Sequence, residues 1–290
     1  MNRARVRVVV CGYTSVDTRF VTDALPQPGE TAILGGDVVP APRWGGCAPN
    51  VALWLERLGL HAALVAWLGD DEEGRTYRSV LADAGVDVST VETGEGASPR
   101  AWLVHDANGD AVCLFHPSGA ATQRAEGARA FVAEAEWLAV TVGPNTLTRT
   151  LLDAFVGTSV AWNVKADRRA FPPDIVARLA ASDVVALNRS EKAFLGEALG
   201  LRRAAEPEDL LARGAGVVAL THGREGAEIK WPHGHIELAQ EAVPVTDTTG
   251  AGDAFFSGLV AALADGAGPE AAGRRALETA SHHLGGARSS

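Results

Sequence analysis

Short valine-rich apolar runs alternate along this chain with longer Ala/Leu-rich stretches whose apolar positions recur at helical spacing. The runs fall at residues 6–11, 62–66, 137–140, 160–163, 184–187 and 217–221, and the helical stretches at 48–58, 72–84, 147–155, 173–181 and 190–199. Gly59 and Gly85 stand where the first two helices should end, as C-cap glycines do. Runs this continuously apolar suit strands buried on both faces. The alternation therefore predicts an α/β fold with a mostly parallel sheet and helices on both sides.

Two stretches break the rhythm. Residues 18–42 hold extended patches and several prolines without a helical pattern, and residues 99–115 read as two strands around an Asn108-Gly109 turn. Together they predict a small β-layer standing off the main sheet as a lid, the alternative being two surface hairpins without a role. The 290 residues show no internal repeat or low-complexity linker, so one domain, 1–290, with this lid is expected.

The formal net charge of −10 and the scattered charges argue against a nucleic-acid binder. Cys11, Cys47 and Cys113 lie far apart, with no metal-knuckle spacing, and read as free thiols of a cytoplasmic protein. No apolar run approaches membrane-spanning length. The basic start followed by residues 6–11 reads as a first strand rather than a signal segment.

Near the C-terminus, Asp247-Thr248-Thr249-Gly250-Ala251-Gly252-Asp253 follows a short strand at 243–245 and precedes an apolar helix at 254–263. A glycine turn at a helix N-terminus offers unpaired N–H groups and a positive dipole to an anion. Asp253 is out of place beside an anion unless it serves a neighbouring hydroxyl, accepting its proton as that oxygen attacks phosphorus. Local spacing leaves this reading level with an ordinary capping aspartate. There is no P-loop, and Lys165, Lys192 and Lys230 do not follow glycine loops. A dinucleotide fingerprint is also excluded, because the third glycine and its βαβ setting are missing.

At the other end, Trp44-Gly45-Gly46-Cys47-Ala48-Pro49-Asn50 opens the first helix, and Asp17 follows the first strand. The glycines can bring backbone N–H groups to a ligand, while a carboxylate and an amide suit polyol hydroxyls. Taken singly, Asn50 reads as a cap and Asp17 as a turn residue.

Together these segments resemble the PfkB carbohydrate kinase family, also called the ribokinase family. Gly45-Gly46…Asn50-Val51-Ala52…Leu55…Leu58-Gly59 is similar to its GGxxxN…A…LxxLG pattern, and Asp247 to Asp253 to its DTxGAGD motif. Leu68-Gly69-Asp70-Asp71…Gly74, Ala84-Gly85-Val86-Asp87, Asn188-Arg189-Ser190-Glu191 and Leu220-Thr221-His222-Gly223…Gly226-Ala227 resemble further family stretches in the expected order. The resemblance spans nearly the whole chain. It implies an ATP-dependent kinase with a three-layer, doubly wound αβα fold and a β-lid shared across a homodimer.

It also implies roles. Asp253 would be the general base, with Gly250, Ala251 and Gly252 as the anion hole. Asp17, Gly45, Gly46 and Asn50 would hold the sugar. Thr221, Gly223 and Gly226 would border the nucleotide. Asn188 and Glu191 would organise Mg²⁺ through waters; otherwise they form a capped helix start with a solvated acid. The backbone at Asp247 and Thr249 would bind a monovalent cation such as K⁺, or simply stabilise the turn.

The ribokinases proper carry Lys at the position of Cys47 and Gly at that of Ala48, so the resemblance does not name ribose as the acceptor. Asn163-Val164-Lys165-Ala166-Asp167 occupies the place of a DxNxR-like segment, with Lys165 read as a solvated strand-end residue rather than a phosphate ligand. Arg100, Trp102 and His116 fall in the lid, at the substrate or on its surface. His282-His283 belong to a last helix, one exposed and one partly packed. The expected reaction is phosphoryl transfer from MgATP to a primary hydroxyl of a sugar-like molecule. The rivals are a nucleoside kinase of the same chemistry and a catalytically silent sugar- or nucleotide-binding sensor.

Overall fold

The computed structural model describes residues 6–37, 41–107, 111–122, 125–240 and 248–286. The first half of the chain holds β1 (Val8–Cys11), β2 (Ser15–Thr22), β3 (Leu34–Gly35), β4 (Arg43–Gly45), α1 (Cys47–Arg57), β5 (Ala62–Val65), β6 (Trp67–Gly69), α2 (Glu72–Asp83), β7 (Glu92–Gly94), β8 (Arg100–His105) and β9 (Ala111–His116). Then come α3 (Arg129–Ala133), β10 (Trp137–Val140), α4 (Asn145–Ala154), β11 (Ser159–Asn163), α5 (Pro173–Leu179), β12 (Val184–Asn188) and α6 (Glu191–Ala198). The chain closes with α7 (Pro207–Leu211), β13 (Val217–Thr221), β14 (Ala227–Trp231), β15 (Gly234–Leu238), α8 (Ala251–Ala264) and α9 (Pro269–Gly286).

The main sheet has eight strands in the order β15-β14-β13-β12-β11-β10-β1-β5. It is parallel from β5 to β13, and the last two strands form an antiparallel edge hairpin. Successive residues of β1 enter opposite cores. Val8 and Val10 pack with α1, α2, α8 and α9, whereas Val9 and Cys11 pack with α3 to α7. This alternation makes three layers, and it explains why the strand is apolar at every position.

The second sheet is built from the segments expected to form the lid, and carries that name; its order is β3-β2-β8-β9, with β4 also paired to β2. β2 and β8 run parallel, and β8 and β9 form a hairpin. Its Asn108-Gly109 turn lies outside the described residues, as does the strand expected at 243–245. Sequence order reverses across β1: β5 lies on one side, and β10 to β13 on the other. Ligands of open α/β sheets bind at such a switch point, outside the carboxyl ends of the strands. There Gly12 lets two strand ends meet: a Cβ on it would sit 2.1 Å from Thr141 Oγ1. Among the described residues no helix is long and apolar enough to cross a membrane.

Candidate functional site

A cleft of about 970 Å³ opens at this switch point, between the strand ends and the lid. Tyr13, Val142, Lys165, Asn188 and Thr221 enter from the ends of the main-sheet strands. Gly46, Cys47 and Asn50 enter from the start of α1, and Gly250 to Asp253 from the start of α8. The lid closes the cleft with Asp17 of β2, Ala101 and Leu103 of β8, and Cys113 and Phe115 of β9.

The glycine turn begins its helix earlier than expected. α8 starts at Ala251, with Gly250 as a left-handed N-cap at φ 84°. Asp253 is therefore already helical. Gly250 adopts that φ without the Cβ clash other residues meet, and its carbonyl accepts the N–H of Ala254 at 2.9 Å. The N–H of Ala251 bonds the Thr248 carbonyl at 3.2 Å. The next two amides, of Gly252 and Asp253, belong to the first turn, whose N–H groups have no partner within the helix. They form the positive end of the α8 dipole, inside the cleft.

Asp253 is 5% exposed. Its Oδ2 accepts Asn50 Nδ2–H at 3.0 Å, and its Oδ1 accepts Asn163 Nδ2–H at 3.0 Å. The Cys47 thiol lies beside this carboxylate. Burial pushes the Asp253 carboxyl above its ordinary range, and Lys165 and these donors oppose the shift. Lys165 stands 3.9 Å from Glu191 Oε1. The carboxylates of Asp253 and Glu191 around it favour its ammonium form and hold it above the usual lysine range. It thus lines the cleft among acids while its side chain stays 39% exposed. Burial, then the charge of Asp253, pushes the Cys47 thiol well up, so it stays protonated.

Asn188 and Glu191 form a reciprocal cap at the start of α6. Asn188 Oδ1 accepts the N–H groups of Ser190 and Glu191, and Glu191 Oε2 accepts the N–H of Asn188 at 2.8 Å. The capped-start alternative is right about the bonds, but Glu191 is not solvated: it is 4% exposed. One buried carboxylate beside the cleft fits a Mg²⁺ that arrives on phosphate oxygens and keeps most of its waters. Among the described residues no group of three or more His, Cys, Asp or Glu forms a dedicated metal cage. The site expected for a monovalent cation falls only partly within the described residues. Asp247 lies outside the described residues, and the Thr249 carbonyl is met by His283 Nε2 at 2.8 Å.

On the lid side of the cleft, Asp17 is buried and its carboxylate accepts Ser15 Oγ–H. Burial raises its carboxyl above the ordinary range. Gly45 does not line the cleft; it makes room for Asp17, because a Cβ there would lie 2.1 Å from Asp17 Oδ2. Gly46, at φ 100°, passes so close to the backbone of Tyr13 that a Cβ would sit 2.5 Å from its carbonyl oxygen. Gly46 therefore packs the start of α1 against the end of β1 as well as lining the cleft. Beyond the strand ends of β12 and β13, Thr221, Gly223 and Gly226, the residues expected at the nucleotide, border the cleft, and Arg224 joins them.

The lid pleat decides the residues left open by the sequence. Ala101, Leu103, Cys113 and Phe115 face the cleft, so Arg100, Trp102 and His116, at alternate positions, do not line it. Arg100 instead pairs with Glu73, and His116 Nδ1 accepts the N–H of Ser118. His282 is exposed and His283 partly packed in α9, as expected. Asn163, Tyr13, Phe115 and Arg224 are cleft or carboxylate partners that sequence reasoning did not single out. Only Asn163 carried a signal, its place in the DxNxR-like segment.

Residues 6–286 match the pfkB family of carbohydrate kinases. The chain is 32% identical over 269 residues to an ATP-dependent ribose-1-phosphate kinase of Halopiger xanaduensis, covering 90% of this chain and 86% of that one. It is 27% identical over 282 residues to a nucleoside kinase of Methanothermobacter thermautotrophicus, covering 94% and 88%. In fold it is similar to the Burkholderia thailandensis nucleoside kinase solved with inosine, at a TM-score of 0.84 and 20% identity, covering 96% and 90%. The αβα sheet, the lid and the full-length match together make this chain a member of the pfkB family of carbohydrate kinases.

Proposed function

We propose that the protein transfers the γ-phosphoryl group of ATP to a primary hydroxyl of a sugar or sugar-like molecule, with Asp253 as the general base. The observation that carries this reading is the position of Asp253. Its buried carboxylate lies between Asn50 on the acceptor side and the first-turn amides of α8, in one cleft with Asp17. Asp17 and Asn50 bind acceptor hydroxyls and bring one of them to Asp253. The carboxylate takes that proton as the oxygen attacks the γ-phosphorus, and ADP carries away the electrons of the broken P–O bond. The amides of Gly252 and Asp253, with the turn of Gly250 and Ala251, face charge on the phosphoryl oxygens. Lys165 keeps Asp253 ionised in spite of its burial. Thr221, Gly223, Gly226 and Asn188 border the nucleotide. Mg²⁺, when bound, neutralises charge on the phosphates, and Asn188 and Glu191 would hold it. The lid excludes water, so that ATP is not simply hydrolysed.

A nucleoside acceptor is favoured by one observation. The lid side of the cleft is apolar at Ala101, Leu103, Cys113 and Phe115, and Phe115 tilts against Tyr13 with ring centroids 4.9 Å apart. A free sugar would leave hydroxyls unpaired on that wall, whereas a flat base on the sugar would cover it. The outer face of the lid exposes Trp102, Val112 and Leu114, and a second copy of the chain is the partner this reading assigns to it. ADP release measured across free sugars, sugar phosphates and nucleosides tests the activity. ATP binding without turnover on any acceptor would leave the silent sensor standing instead.

A further inference from the structure

The turn that presents the α8 amides is held from behind by the last helix. His283 of α9 has Nε2 2.8 Å from the carbonyl oxygen of Thr249. A carbonyl only accepts, so Nε2 carries a proton and donates. Both the neutral Nε2–H tautomer and the imidazolium make this bond. The ring is fixed in turn by Trp54 of α1, whose centroid lies 5.8 Å away at 66°. The guanidinium of Arg57 lies over that indole at 5.1 Å. Gly250 leaves space for the imidazole, because a Cβ on it would meet His283 Nε2 at 3.2 Å. α8 and α9 are locked together nearby: a Cβ on Gly258 would lie 2.6 Å from Thr279 Oγ1.

We infer that the His283 N–H does at this turn the work that a monovalent cation was expected to do, so that activity needs no potassium. A cation bound at Thr249 would draw on the carbonyl lone pairs and cancel the negative end of that peptide dipole. The imidazole N–H already supplies a positive partner at the same oxygen, and it projects from a helix rather than from solvent. Its donor hydrogen also repels a second positive charge from that place. His283 is therefore a positioning residue: it fixes the Thr249–Gly250 peptide, and through it the direction of the Gly252 and Asp253 amides. The inference rests on the kinase reading for its kinetic readout but not for its binding readout.

Rates and thermal melts in KCl, NaCl and tetramethylammonium chloride at one ionic strength test it. The wild type should show no cation preference in either measurement. His283→Ala removes this donor from the carbonyl, and should lose about fivefold or more in rate in tetramethylammonium chloride, the scale of one hydrogen bond. Its rate and melting temperature should then rise specifically in KCl. His283→Gln, whose amide N–H can reach the same oxygen, should restore much of the rate without potassium. A wild-type rate at least about fivefold higher in KCl than in tetramethylammonium chloride, the same scale, overturns the inference. So does a His283→Ala protein that matches the wild type in every salt. If no acceptor is phosphorylated, the kinase reading fails and the melts decide: a potassium-specific rise in the wild type refutes the role of His283, and a rise confined to His283→Ala supports it.

Discussion

Asn50 donates its Nδ2–H to Asp253 Oδ2 at 3.0 Å, across 203 positions of sequence. The bond joins the start of α1 to the start of α8, the two helix ends that enter the cleft. Because the amide nitrogen faces Asp253, the Asn50 oxygen remains an acceptor for a substrate hydroxyl. Asp253→Asn keeps the side-chain volume and removes the proton acceptor. Turnover should fall at least about a hundredfold, the lower range for a lost general base, while calorimetric ATP binding persists. Near-normal turnover would end the assignment.

If Asp253 is the base, as proposed, Lys165 helps to set the pH at which it works. Burial raises the Asp253 carboxyl and Lys165 lowers it. A base must be ionised, so activity is present above its folded pKa and is lost as pH falls through it. Lys165→Met removes one of the lowering influences, and the pKa of Asp253 should rise further. The acid limb of the kcat–pH profile should therefore move to higher pH in Lys165→Met and much less in Lys165→Arg. An unmoved limb in the methionine variant would show that Lys165 serves only its ion pair with Glu191.

Much of this architecture is written in local pattern, and much of the site is not. The parallel strands are legible because burial on both faces leaves them continuously apolar. The edge hairpin β14–β15 passed unnoticed because Glu228, Lys230, His235 and Glu237 interrupt it; the period-two burial of Ala227 and Ile229 was its signal. The pleat of the lid could not be read, since both faces of β8 carry apolar side chains, Ala101 and Leu103 on one and Trp102 and Val104 on the other. Asn163 acquires its meaning only through a contact 90 residues away, and Lys165 only through the acids folded around it. His283 had no local mark at all.

Gly45 tests whether the first glycine pair shapes the acceptor site through Asp17. Alanine there brings a Cβ within 2.1 Å of Asp17 Oδ2 and 2.5 Å of its Cγ. Since Gly45 does not have a positive φ, the effect is steric rather than conformational. Overpacking of this kind costs about 1–3 kcal/mol. Gly45→Ala should lower the melting temperature and raise KM for the acceptor far more than KM for ATP. Equal changes in the two KM values would place Asp17 outside acceptor binding.

The outer lid face tests the second copy. Leu114 is 60% exposed, with Val112 and Trp102 on the same face. Leu114→Asp leaves the cleft wall untouched and puts a charge where an apolar partner would sit. Light scattering should find a dimer for the wild type and a monomer for the variant. A wild-type monomer at micromolar concentration would dismiss the partner.

The last prediction separates the acceptors. Phe115 reaches the cleft from the lid and Tyr13 from the end of β1, so their contact closes the wall between the two layers. Phe115→Ala removes one side of that wall without touching Asp17, Asn50 or Asp253. If a nucleobase lies there, kcat/KM for nucleosides should fall by about tenfold, since a ring pair contributes about 0.5–1.5 kcal/mol beyond the area it buries. The value for free ribose, which does not reach the wall, should stay close to that of the wild type. Equal losses for both acceptors would mean that Phe115 acts by closing the lid. A wild-type enzyme active on free sugars and inert toward nucleosides would reject the nucleoside reading and leave phosphoryl transfer itself intact.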